Sequence, residues 1–282
     1  MADSTKVSQS CFYRLFWQVT KKYREKAMND LALQLLAPNK TTSLFYIGQA
    51  GFVLMSKSGM TLGIDLYLSD CVERFDGFKR LSPKVMDPDT ILDYIAASHW
   101  HLDHFDIDAM PLLMGNWMTR LLCTEDCREH VNRLHLDERR ITYIKTQDSI
   151  KCGDFTIHAV FCDHGVSAPF AVGFVIETDG FRVYYAGDTA LRLDKAAEIA
   201  KLGPFDLMLA PINGAFGNLN EHENVKLCAY HQPSLSIPCH FWTFAEHHGN
   251  PGIWIDEMKA ILPEQKYLLM APGERFILDT LR

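Results

Sequence analysis

Three histidines and an aspartate fall within six residues in the segment Ser98-His99-Trp100-His101-Leu102-Asp103-His104. The segment directly follows the apolar run 94–97, which predicts a β-strand. Where the chain is extended, side chains alternate between two faces, so we expect His99, His101 and Asp103 to lean toward one face. His104 then follows at the first turn of the next element. Four such groups exceed the three protein ligands of an ordinary catalytic zinc, which indicates two divalent metal ions.

The pattern His-x-His-x-Asp-His resembles the signature of the metallo-β-lactamase-fold hydrolases. Four further landmarks of that family occur in the expected order. Asp65 closes an early strand, His164 follows a strand in a loop, Asp188 lies in a Gly-Asp-Thr turn after an aromatic strand, and His240 ends a strand. Each landmark alone is weak, but all four in order at predicted strand ends form a strong signal.

This resemblance implies two overlapping sets of metal ligands with a shared aspartate. The first metal would be held by His99, His101 and His164, the second by Asp103, His104 and His240, and Asp188 would bridge both. Asp65 would orient a ligand histidine from behind and fix its tautomer. Two divalent ions, two ligand carboxylates and a bridging hydroxide leave about one net positive charge, which suits an anionic substrate. Manganese and zinc both fit this His/Asp set, and so does iron.

A metal pair of this kind supports hydrolysis for reasons independent of the family. Binding to a divalent metal lowers the pKa of water toward roughly 7, which provides a hydroxide nucleophile, and the second metal can stabilise the developing oxyanion. No cysteine or serine nucleophile is needed, so we discount the eight cysteines as catalysts. The candidate catalytic residues are Asp103 and His247. Either His247 or the adjacent His248 could give a proton to the leaving oxygen, and His247 is favoured.

Within the superfamily, the segments 36–51, 210–221 and 240–251 resemble the L-ascorbate-6-phosphate lactonase-like hydrolases. The leading prediction is therefore hydrolysis of a small anionic ester, most simply a sugar-phosphate lactone. A phosphodiester such as a cyclic nucleotide is the alternative. A redox diiron protein on the same fold is a third hypothesis, but that use of the fold typically replaces a cluster histidine by a carboxylate, and His101 argues against it. A noncatalytic assembly module is disfavoured by the complete ligand set.

The order of short strands and helices predicts an α/β protein with two packed sheets covered by helices, a four-layer αββα sandwich, over residues 41–282. Helices are predicted at 106–114, 125–134, 191–202, 223–230 and 253–262, with a final strand at 267–270. Residues 1–40 are predicted to form an N-terminal helical extension, because apolar positions within 12–36 have an amphipathic spacing. This helix would pack on the domain or contact another copy, with a membrane surface as the weaker option.

Composition limits the partners. Hydrophobic residues make up 48% of the chain and charged residues 22%, and no apolar run approaches the roughly 20 residues of a membrane span. A net charge of −7 argues against a stable nucleic-acid partner, which needs a basic surface. The cysteines form no CxxC pair and the first residues show no secretory signal, so a cytoplasmic protein with reduced thiols is expected. We also expect a homo-oligomer acting on a small anionic substrate.

Overall fold

Two mixed β-sheets form the centre of the protein in a computed structural model, which describes residue 34 and residues 40–282. The predicted N-terminal helical extension therefore lies almost wholly outside the described residues. The strands are β1 (Ser43–Gly48), β2 (Gly51–Met55), β3 (Thr61–Ile64), β4 (Tyr94–Ala97), β5 (Arg120–Thr124), β6 (Ile141–Ile144), β7 (Ser149–Cys152), β8 (Phe155–Phe161), β9 (Val172–Thr178), β10 (Phe181–Tyr185), β11 (Leu207–Pro211), β12 (Leu235–Cys239) and β13 (Arg275–Ile277). The first sheet has the order β13-β1-β2-β3-β4-β5-β6, and the second has the order β12-β11-β10-β9-β8-β7.

Helices cover the outer faces of both sheets. Those in the described part of the chain are α1 (Cys71–Asp76), α2 (Met110–Leu113), α3 (Arg128–Arg133), α4 (Leu193–Ala200), α5 (Glu221–His231) and α6 (Pro251–Ile261), with 3-10 turns at Glu125–Cys127, Glu138–Arg140 and Leu278–Leu281. Helix α5 begins with a capping box, in which the Asn220 side chain accepts from the Glu223 N–H and the Glu223 carboxylate accepts from the Asn220 N–H. This cap satisfies two of the N–H groups that a helix start leaves unpaired.

Alternation along the strands divides the core into layers. In β1, Leu44 packs between the two sheets, whereas the next residue, Phe45, packs on the outer face of the first sheet with Met110 of α2 and Val131 of α3. On the outer face of the second sheet, Trp254 of α6 belongs to a separate buried cluster with residues of β10, β11 and α5. Successive side chains of a strand point to opposite faces, so this pattern requires helix, sheet, sheet and helix layers. The predicted αββα sandwich is confirmed.

The last predicted strand is not observed. No strand forms at 267–270, where Tyr267 makes only an isolated bridge to Ser236 of β12 in the second sheet. The strand that follows β12 along the chain is β13, which pairs antiparallel with β1 at the edge of the first sheet. In the second sheet, β7 was not predicted; it is a short edge strand paired only with β8. Both missed strands are short and lie at edges, where half of the ladder is solvated and the apolar pattern is weak.

Parallel pairing determines where the site forms. Strands β3 and β4 run parallel in the first sheet, and β10, β11 and β12 run parallel in the second. Each of the predicted ligands follows the carboxyl end of β4, β8, β10 or β12, and Asp65 follows the carboxyl end of β3. These ends meet at one edge of the sandwich. Among the described residues, no helix is long and apolar enough to cross a membrane.

Candidate metal centre

The histidine-rich segment is a compact turn and not an extended chain. The N–H groups of His104 and Phe105 both donate to the carbonyl of His101, at 2.9 and 2.7 Å. The expectation that alternation of an extended chain aligns the ligands is therefore wrong. The side chains converge because the backbone turns back on itself directly after β4. His99 and His104 are buried by this turn, whereas His101 and Asp103 are partly exposed.

The three histidines of the first predicted set lie together. The Nδ1 atom of His101 is 2.9 Å from Nε2 of His99 and 3.1 Å from Nε2 of His164. His164 comes from the loop after β8, so the second sheet supplies one of the three rings. One nitrogen of each ring lies within 4.8 Å of the others, a spacing that could hold a metal ion.

The second predicted set is equally close, and Asp188 lies between the two sets. The Nε2 atom of His240 is 3.3 Å from Nε2 of His104 and 3.3 Å from Oδ2 of Asp103. The Oδ2 atom of Asp188 lies 3.2 Å from Nε2 of His240, 3.4 Å from Nε2 of His104 and 3.9 Å from Nε2 of His164. The carboxylate of Asp188 is thus the group that touches both sets.

The nitrogen and oxygen atoms of the cluster are better suited to coordinating divalent cations than to forming hydrogen bonds with one another. The other carboxylate oxygen of Asp188, Oδ1, is buried without a hydrogen-bond partner, and an unpaired buried acceptor is costly unless something fills its place. Nitrogen atoms that approach nitrogen atoms can form hydrogen bonds only where one ring donates and the other accepts. A cation between the rings would satisfy all of them at once, since neutral imidazole and carboxylate are its natural ligands.

Asp65 lies behind the ligands and is fully buried. Its carboxylate accepts from the N–H and the hydroxyl of Ser98 and, at 2.6 Å, from the hydroxyl of Tyr185. Its Oδ2 atom also lies 2.7 Å from Nδ1 of His104. A proton held on Nδ1 by this carboxylate leaves Nε2 of His104 as the lone-pair atom that faces the site.

The carboxylates and imidazole rings of the cluster shift one another's pKa values. Burial alone would raise the pKa of Asp103 and of Asp188, but the adjacent His104 and His240 outweigh it and hold both pKa values well below the usual range. Burial would likewise lower the pKa of His240, yet Asp188 and Asp103 raise it to about 9. Both carboxylates are therefore ionised at neutral pH. Without a metal they attract protons to the neighbouring rings, and a bound metal has to displace those protons.

Gln49 and Tyr185 are site residues that the sequence did not single out, whereas Asn218 lies in a Gly-rich loop where the sequence left a site role and a turn role open. The Nε2 atom of Gln49 lies 2.8 Å from Oδ2 of Asp103, and the N–H of His240 donates to the Gln49 carbonyl at 2.8 Å. The amide of Asn218 donates to Oδ2 of Asp188 at 2.7 Å. Glycines flank Gln49 in the turn 48–51, which is a signal for a turn but not for a site.

His247 contacts the cluster, whereas His248 is exposed. The ring of His247 stacks on the ring of His240, with centroids 4.8 Å apart and planes at 13°. Its Nδ1 atom is 3.1 Å from Nε2 of Gln49. Burial, followed by the neighbouring His240, lowers the pKa of His247 to about 4. The ring is therefore neutral at pH 7, and where the Gln49 amide donates to Nδ1 the ring proton lies on Nε2.

A cavity of about 660 Å³ opens over the cluster. It is lined by His101, Asp103, His164, Asp188, His240 and His247, and by side chains of α1, α3 and the loops that follow β4, β11 and β12. A concave site of this size with convergent polar groups at one end is typical of a small-molecule site. Five of the seven predicted ligands thus lie where a substrate could reach them, and His99 and His104 are buried behind them.

Comparison with known proteins agrees with this architecture. A family model described as the beta-lactamase superfamily domain matches residues 66–241, and the chain belongs to that family. A metallo-β-lactamase-fold protein of Bacillus subtilis superposes with a TM-score of 0.64 and 17% identity, covering 84% of this chain and 99% of the other.

Two curated relatives indicate the class of reaction. A UPF0173 metal-dependent hydrolase of Anaeromyxobacter dehalogenans is 27% identical over 83% of this chain and 85% of its own length. Another of Archaeoglobus fulgidus is 25% identical over 82% of this chain and 96% of its own. The chain is therefore a metal-dependent hydrolase with the metallo-β-lactamase fold.

Proposed function

We propose that this hydrolase cleaves a small anionic ester, with a lactone of the ascorbate-6-phosphate type first and a phosphodiester second. The observation that supports it is the position of Asp188 between two three-residue ligand sets, at the end of an open cavity. When bound, two divalent ions would supply an activated water at neutral pH and would stabilise negative charge on the attacked oxygen.

The protein's own groups would orient and balance this chemistry. His99, His101 and His164 would form one ligand set and Asp103, His104 and His240 the other. Asp188 would bridge the sets, and Asn218 would hold one of its oxygens in place by donating to it. Asp65 would keep the His104 proton on Nδ1 through their 2.7 Å contact. With two ligand carboxylates against two divalent ions, the centre keeps positive charge for an anionic group.

His247 would act at the leaving group as a neutral ring, and not as the protonated ring that a proton donor would need. A ring with a pKa of about 4 carries no extra proton at pH 7. It would therefore donate a hydrogen bond from its neutral Nε2–H to the leaving oxygen, and would not begin the reaction as a doubly protonated general acid. Gln49 would hold that tautomer by donating to Nδ1.

The proposal is tested by stripping the full chain of metal, reloading it with manganese or zinc, and assaying lactones, phosphodiesters and cyclic nucleotides. His101→Ala should abolish most of the activity. His222→Ala is the matched control, because His222 is an exposed histidine paired with Glu257 on α6. Metal-loaded protein that cleaves no member of the panel would contradict the proposal.

A further inference from the structure

The cavity over the cluster is walled mainly by apolar side chains. Helix α1 contributes two of them, and the rest come from the loops around the site. The principal ones are Val72, Phe75, Phe78, Leu102, Phe216 and Phe244. This wall is continuous with the ligand cluster, so a molecule whose reacting group reaches Asp188 must lie against it.

Few polar groups interrupt this wall. Beyond the ligand sets and His247, the polar lining among the described residues comes from Asp76, His130, Arg133 and Ser167. Asp76 and Arg133 are exposed and opposite in charge. The Nε2 atom of His130 lies 3.0 Å from the Trp100 carbonyl, and burial lowers the pKa of this ring.

A sugar would lose its hydrogen bonds to water at such a wall without replacing them. A phosphate dianion is held best by several cationic donors, and only Arg133 supplies one here among the residues that line the described cavity. Negative charge, whether carried by a phosphodiester or developed on a lactone oxygen during attack, would lie at the His/Asp cluster. The rest of the substrate would contact apolar side chains.

Phe216 lies over the cavity in a strained backbone conformation. Its side chain is 61% exposed and its backbone has a left-handed φ of 54°, a conformation that bulky residues rarely adopt. Backbone strain of this kind is found chiefly at functional sites. The Phe216 ring lies 5.4 Å from the His247 ring and 5.9 Å from the Phe78 ring. A strained, exposed aromatic beside His247 is unexplained by packing of the core.

We propose that this apolar wall binds an alkyl or aryl group of the substrate while the scissile ester lies at the His/Asp cluster, and that Phe216 determines specificity for that group. The proposal rests on the ester hydrolysis proposed above but selects, among lactones and phosphodiesters, those that carry an apolar group, so it ranks a bare sugar-phosphate lactone below them. A bare sugar-phosphate lactone would leave the wall uncovered. An ester with an apolar chain or ring fills both ends of the cavity.

The test uses the metal-loaded full chain and two homologous series, γ-alkyl-γ-butyrolactones and alkyl 4-nitrophenyl phosphates, each from methyl to octyl. A buried methylene is worth about 0.8 kcal/mol, so kcat/KM should rise roughly twofold to fourfold for each added carbon until the cavity is filled. In parallel, calorimetry with alkylphosphonates of the same lengths measures binding without turnover, and Kd should fall along the series.

Phe216→Ala should reduce the octyl-to-methyl ratio of kcat/KM and of affinity, and Phe216→Leu should recover part of it. Phe170→Ala is the matched control, since Phe170 is 53% exposed and does not line the cavity. If no ester is cleaved but phosphonate affinity grows with chain length and depends on Phe216, binding of an apolar group at the wall is supported and the proposed ester hydrolysis is contradicted. This inference is overturned if neither kcat/KM nor affinity changes with alkyl chain length. That outcome would hold equally if residues 1–39 or a second copy of the chain covered the wall.

Discussion

Replacing Asp65 by Asn tests whether a buried carboxylate prepares a ligand for metal. The change keeps the shape of the side chain but turns one accepting oxygen into a donor. If the amide replaces Oδ2, Nδ1 of His104 loses the acceptor that lies 2.7 Å away. The ring proton then moves to Nε2, the atom that faces Asp188 and His240. A protonated Nε2 cannot bind a cation.

The size of the effect follows from this geometry. Loss of the partner behind a metal-binding histidine costs about 10-fold to 100-fold in metal affinity, or roughly 1.4–2.7 kcal/mol. The metal-free variant should also be less stable by about 1.5–3 kcal/mol, because charge-assisted hydrogen bonds to a buried carboxylate are lost. Competition with a chromophoric chelator measures the first quantity, and urea unfolding of metal-free protein measures the second.

Tyr185→Phe is the control for this experiment. It removes the 2.6 Å hydrogen bond to Asp65 but leaves the carboxylate against His104, so metal affinity should fall by less than about 10-fold. Metal affinity of a folded Asp65→Asn protein within about twofold of the original would refute the tautomer argument.

Three further outcomes are expected. Elemental analysis after loading should approach two divalent ions per chain, and a value that stays at one under excess metal would contradict the two ligand sets. Asp188→Ala should lose metal and turnover together, because Asp188 touches both sets; near-normal hydrolysis would show that the assignment is wrong. Burial against Tyr184 and Phe205 lowers the pKa of His231 from 6.5 to about 4, so in the folded chain this ring is neutral between those values, whereas in the unfolded chain it is protonated. Stability should therefore fall by about 2–3 kcal/mol as pH decreases from 6.5 to 4, and urea unfolding of His231→Leu should lack this component.

The proposed ligands could be picked out from the sequence because each follows a recognisable apolar strand. The sequence pattern placed all seven proposed ligands and Asp65 at one sheet edge, where the structure brings them together. It could not predict that residues 98–104 form a turn, because a short polar segment does not reveal its own hydrogen bonds. The Tyr185 hydroxyl reaches Asp65 across the sandwich, 120 residues away in sequence. Contacts of this kind depend on strand order, and a local pattern carries no information about them.

The same non-locality explains Gln49 and β13. Gln49 reaches Asp103 and His240 only because the turn between β1 and β2 lies beside the ends of β4 and β12. Strand β13 is three residues long and pairs with β1 from the far end of the chain. The apolar residues near 267–270 suggested a strand of their own, but only Tyr267 forms a bridge, to Ser236 of β12, while Leu268 and Met270 pack against the core between the sheets.

Each ligand set draws two side chains from the first sheet and one from the second: His99 and His101 with His164, and Asp103 and His104 with His240. During synthesis, a nascent chain that has folded only its first half would therefore hold two ligands of each set and retain metal weakly. The second set closes only after β12 has been made and docked. A metal bound at the proposed ligands would then link the two sheets and would stabilise the folded chain by about 2.7 kcal/mol when its free concentration is 100 times Kd. Chelation should loosen the junction of the two sheets more than it loosens either sheet alone.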